Sequence, residues 1–105
     1  MRIGISVVAA AIAITSMSVA QAGDPTAAAQ KAKTLCAGCH GPEGISTNPL
    51  WPNLAGQKEQ YFVKALKEYR DGIRLDPNMA AMAQGLGDKE IEDLAAYYAS
   101  SPDGT

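Results

Sequence analysis

The chain has one histidine, two cysteines, one tryptophan and one phenylalanine in 105 residues. Three strong ligands of that kind cannot close a structural zinc site, which takes four. Aromatics make up only 6% of the sequence, so a core built from side chains alone is thin. A domain this small often takes a disulfide, a metal or a large cofactor as a staple. Positive charge is not in surplus either. Nine Lys and Arg stand against eleven Asp and Glu, a net charge of −2, which argues against a nucleic-acid partner. No period-2 alternation, internal repeat or low-complexity tract is present. The length allows one domain at most, and the fold class read from the pattern is all-α.

No apolar run is long enough for a comfortable membrane span. Met1-Arg2 is a short positive start, residues 3–19 are dominated by Ile, Val and Ala, and Ala20-Gln21-Ala22 has the small-x-small form of a cleavage site. This is the layout of a secretory signal peptide. The competing reading is a retained anchor, but the run is short for one, and the Ala-Gln-Ala end favours cleavage. The expected division is a cleavable signal peptide at 1–22 and a domain at 23–105, with no retained membrane anchor. Only Arg2 among the charged groups leaves, so the 83 remaining residues carry −3.

Thr26 to Leu35 is rich in Ala and Lys and reads as a helix, with Asp24 or Thr26 as its cap and Pro25 in its first turn. Cys36 to Gly56 holds four of the ten glycines and three of the six prolines, and reads as loop. Gln57 to Asp71 returns to helical spacing through Tyr61, Phe62, Ala65, Leu66 and Tyr69, and Gly72 ends it. Asp76-Pro77-Asn78 reads as irregular, followed by a short helical turn over 79–84. Gly87 precedes a last helix from Asp88 to about Ala99, with Ile91, Leu94, Ala95 and Tyr98 on its buried stripe.

Both cysteines and the histidine fall in one motif, Cys36-Ala37-Gly38-Cys39-His40. A bare Cys-x-x-Cys would fit a redox disulfide or half a zinc site. The strand-helix context of the first and the fourth ligand of the second are missing. Cys-x-x-Cys-His is the attachment signature of c-type haem. Two thiols at this spacing can form thioethers to the two vinyl groups, and the next residue stands under the iron as proximal ligand. Attachment outside the cytoplasm agrees with the export signal. The cofactor expected is therefore one covalent haem c with its iron, held through Cys36 and Cys39. It also supplies the missing staple.

A low-spin electron carrier needs a second axial ligand, and with one histidine it cannot be another imidazole from the same chain. Met is the usual alternative. Met1 and Met17 belong to the leader, which leaves Met79 and Met82, one as ligand and one as packing. A thioether ligand and a buried haem both favour the ferrous state, so a relatively high reduction potential is expected.

With these motifs in hand, the sequence resembles the class I cytochromes c with one haem, in particular the bacterial cytochrome c4/c5/c553 group. The resemblance runs from about Asp24 to Ser100. It rests on the motif Cys36 to Gly41, on Trp51-Pro52-Asn53-Leu54-Ala55-Gly56-Gln57, and on the helix from Tyr61 through Tyr69-Arg70 to Gly72 and Arg74. It continues through Met79, Ala83 and Leu86 to the last helix with Ile91, Leu94 and Tyr97-Tyr98. It implies three main helices and a short helical turn packed around the haem. It also implies Met79 as axial ligand, seven residues before Leu86, with Met82 packing in the haem pocket. By the same resemblance the Pro52 carbonyl meets His40, Trp51 and Tyr61 line the crevice, Arg74 meets a propionate, and Ala29 faces Tyr97 where the first and last helices cross.

The function implied is soluble electron transfer in the periplasm, with no bond chemistry of its own. The chain is read as a monomer, and its partners as redox proteins, one donor and one acceptor. Lys58, Lys64 and Lys67 are available for docking. Two other readings stand beside this one: a haem subunit dedicated to one periplasmic dehydrogenase, and a gas-binding protein or small peroxidase with an open iron site.

Overall fold

The computed structural model describes residues 2–13 and 23–103. The cleavage motif at 20–22, Met1 and Met17 lie outside the described residues. Residues 2–13 carry no helix or strand, and Ile3, Ile5, Val7, Val8 and Ile12 are exposed. Among the described residues there is no strand, and no helix is long and apolar enough to cross a membrane.

Five α-helices build the domain: α1 (Pro25–Lys31), α2 (Ala37–His40), α3 (Glu59–Arg70), α4 (Pro77–Ala83) and α5 (Asp88–Ala99). A π-helical turn, Ala32–Cys36, joins α1 to α2, so the chain stays helical into the cysteine motif. The loop read from Cys36 onward therefore begins only after His40. Gly38 is tolerated inside α2, and Gly41 at φ +87° is what stops it. Asp76-Pro77-Asn78 is likewise not irregular. Asp76 caps α4 by accepting from the Asn78 and Met79 backbone N–H groups, both at 3.0 Å. Pro77 occupies the first turn, where its missing N–H costs nothing. Asp24 plays the same part for α1.

The core is a crossing of α1 and α5 with α3 laid against α5. Ile91, Leu94 and Tyr98 are the large side chains wholly removed from solvent. Phe62 of α3 stacks on Tyr98 with ring centroids 5.5 Å apart. At the crossing, Ala28 and Ala32 are the small residues buried, while Ala29 is only partly covered. Spacing by four puts 28 and 32 on one stripe and turns 29 aside.

Charged groups close the edges. Arg70 donates to Asp88 at 2.7 Å and to the Leu86 carbonyl at 3.3 Å, tying the end of α3 to the start of α5. Buried Asp93 accepts from Lys89 and, at 2.7 Å, from the Asp24 backbone N–H. Hydrogen bonds from Lys89 and then Asp24 hold the Asp93 carboxyl below the usual carboxylate range. That contribution is complete above the unfolded carboxyl's value of about 3.9 and is lost as pH falls through the folded one. Asp93→Asn is therefore expected to flatten the acid limb of stability below about pH 4. Chemical unfolding of the two proteins between pH 6 and 2.5 would check this, and parallel acid limbs would count against it.

Candidate functional site

The helical path through the motif decides what its side chains can reach. Cys36 ends the π turn and Cys39 follows three positions later, a spacing that puts two side chains on one side of a helix. Cys36 is half-buried and Cys39 exposed, and no disulfide joins them. Burial pushes the Cys36 thiol up, against the Tyr98 hydroxyl hydrogen-bonded to it and the field of Lys31. The Tyr98 phenol is raised in turn, chiefly by burial and then by Cys36.

His40 is buried, with Nδ1 2.8 Å from the Pro52 carbonyl oxygen. A carbonyl can only accept, so Nδ1 carries a hydrogen, and in the neutral ring it is Nε2 that can bind a metal. The loop that brings Pro52 there is itself pinned. The Leu54 and Ala55 N–H groups donate to the Gly44 carbonyl at 2.7 and 3.0 Å, and the Gly56 N–H to the Tyr98 carbonyl at 2.8 Å. Asn53 accepts from the Ser46 N–H at 2.7 Å. Gly44 stands at φ +76°, and a Cβ there would lie 2.9 Å from the Tyr98 ring. The approach of loop to α5 thus requires glycine.

Met79 lies in the first turn of α4, partly buried and packed against the core, whereas Met82 is 43% exposed. Trp51 and Tyr61 are exposed to about the same degree. Arg74 is drawn across two tyrosines, donating to Tyr61 at 3.1 Å and Tyr69 at 3.4 Å, with its guanidinium 5.2 Å from the Tyr69 ring centroid. Sequence reasoning did not pair Arg74 with Tyr69. Their spacing of five across a helix end gives no periodic signal. Nor did it single out Asp76, although an Asp-Pro pair before an apolar run is a capping signal.

The donor set suits a haem. It comprises two thiols three residues apart, an imidazole oriented to offer Nε2, and a partly buried thioether on a separate helix. Outside residues 2–13, the large apolar side chains exposed among the described residues all fall between 50 and 82: Leu50, Trp51, Tyr61, Ile73, Leu75 and Met82. These exposed apolar side chains are the kind of surface that a flat apolar cofactor can cover.

Residues 26–101 match the cytochrome c family, and the chain belongs to that family, as a class I cytochrome c. It carries covalently bound haem c with iron, and its two cysteines are Cys36 and Cys39. Cytochrome c4 of Thiocapsa roseopersicina is 49% identical over 82 residues, 78% of this chain and 42% of that protein. Cytochrome c-554(548) of Halomonas halodenitrificans is 48% identical over 82 residues, 75% of this chain and 98% of that one. The crystal structure of reduced cytochrome c4 from Pseudomonas stutzeri superposes with a TM-score of 0.64 at 33% identity, over 76% of this chain and 50% of that chain. The chain thus spans less than half of the cytochrome c4 relative and nearly all of the c-554(548).

The Asp76 cap also fixes the backbone from which Met79 projects. Asp76→Ala is expected to cost about 1 kcal/mol of stability, as loss of a helix cap does. Guanidinium unfolding of the ferric protein would measure it.

Proposed function

We propose that this chain is an electron carrier of the c4/c5/c553 kind, with one haem, exported to the periplasm after removal of residues 1–22. Cys36 and Cys39 form the thioethers, His40 is the proximal ligand and Met79 the distal one. The observation that carries the reading is the His40–Pro52 contact. A buried imidazole whose Nδ1–H is spent on a fixed carbonyl has its ring plane set and its basicity raised, as metal-binding histidines do.

Bound haem supplies the one-electron ferric/ferrous couple. His40 and Met79 would hold the iron from separate elements, α2 ended by Gly41 and α4 capped by Asp76, so neither ligand would need to move as the charge changes. Trp51 and Tyr61 would line the haem crevice and Met82 would pack in its pocket, excluding water, which favours the less charged ferrous state. Arg74, held against Tyr61, presents a cation that complements a propionate carboxylate. Partners are a donor and an acceptor protein, met through weak contacts at the haem edge. Lys64 is already paired with Glu68 at 2.7 Å and the partly buried Lys67 acts on Asp88, which leaves the exposed Lys58, just before α3, as the better-placed docking charge.

The test is carbon monoxide. The ferrous protein at neutral pH is expected to keep its spectrum under the gas while titrating reversibly as a single one-electron centre. A carbonyl spectrum formed within mixing time would replace this reading with an open-iron one.

A further inference from the structure

Gly23 follows the Ala20-Gln21-Ala22 motif directly. Its backbone lies on α5: a Cβ at this position would sit 1.9 Å from the Glu92 carbonyl oxygen and 2.7 Å from the Asp93 nitrogen. No side chain fits there. The backbone nitrogen of a residue is within about 2.5 Å of its own Cβ position, so the Gly23 nitrogen is within about 4.5 Å of the Glu92 carbonyl oxygen. One residue on, the Asp24 N–H reaches the Asp93 carboxylate at 2.7 Å. Both hydrogen bonds to that carboxylate, from Asp24 and Lys89, end on Oδ1. A carboxylate has about four acceptor sites in all, so capacity remains. Around it, Asp24, Glu92 and Asp93 act on Lys89, while the neighbouring Lys31 is already paired with Glu90 at 3.1 Å. Three carboxylates against one ammonium make a local field that draws a second positive charge.

We propose that processing supplies that charge: removal of the leader turns the Gly23 amide into an α-ammonium that docks on the Asp93 carboxylate and the Glu92 carbonyl, locking α1 to α5. The inference rests on the proposed cleavage after Ala22. Hydrolysis of the Ala22–Gly23 bond by a leader peptidase uses one water. Ala22 keeps the new carboxylate, and the Gly23 amine takes up a proton. An α-amino group titrates near 8, so most of it is charged at pH 7. The precursor offers one neutral N–H at this point, and the processed chain offers a cation with three donors.

The experiment uses exported ferric holoprotein in two forms, one beginning at Gly23 and one with a single extra alanine before it. Each is made with Asp93 and with Asp93→Asn. Intact mass of the natural product comes first, and a chain that starts anywhere but Gly23 overturns the processing reading and the lock with it. Given a Gly23 start, the extra alanine is expected to lower the melting temperature by roughly 4–8 °C with Asp93 in place. In the Asp93→Asn pair it should lower it by less than half as much. Equal melting of the two Asp93 forms overturns the lock alone. So does an undiminished loss in the Asp93→Asn pair, which would mean that crowding, not charge, is felt.

Discussion

Replacing Met79 with alanine is expected to abolish the long-wavelength sulfur-to-iron band of the ferric protein, while Met82→Ala leaves it in place. The reduction potential should fall by more than about 100 mV, a modest part of the roughly 0.8 V that axial ligands command. The asymmetry follows from where the two thioethers sit. Met79 is in the first turn of α4, its N–H held by Asp76, and its side chain reaches the core. Met82, three residues on, is largely exposed. A ligand must be presented rigidly to keep its bond through a redox cycle, and a packing residue need not be. The reverse result, with the band lost only in Met82→Ala, would move the distal ligand one turn along α4.

The second large effect concerns the fold. Cys36→Ser/Cys39→Ser, exported in the same way, is expected to lose covalent haem on a denaturing gel and most of its helical circular dichroism. Three large side chains wholly out of solvent are a small core for a domain of this length. The exposed side chains Leu50, Trp51, Tyr61, Ile73, Leu75 and Met82 bury little of their surface on the protein itself. Without a haem tethered among them, that surface faces water. A double variant that keeps native helicity and a cooperative melt would show that the polypeptide stands without its prosthetic group.

The last helix was legible in the sequence to the residue, because Gly87, the acidic first turn and the stripe Ile91, Leu94, Ala95 and Tyr98 all agree. The motif at Cys36–His40 was legible as chemistry but not as structure. Glycine and proline spoke for a loop, whereas the chain stays helical from Ala37 to His40 and stops at Gly41. Asp76-Pro77 was read as a break and is a helix start, since both residues favour the first turn as readily as a bend. The π turn at Ala32–Cys36 has no composition of its own and left no trace in the pattern. The Arg74–Tyr61–Tyr69 cluster and the Asp24–Asp93 bond join positions that no periodicity links.

Tyr98 covers Cys36 from the far end of the chain, and this sets an order in time. In the export proposed above, with the N-terminus leading, the cysteine motif emerges some sixty residues before Tyr98 does. Until then nothing from α5 shields the Cys36 sulfur, and α1 has no helix to cross. The Cys36 thiol is thus most accessible to maturation while the rest of the protein is still arriving, and completion of the chain closes that interval by itself.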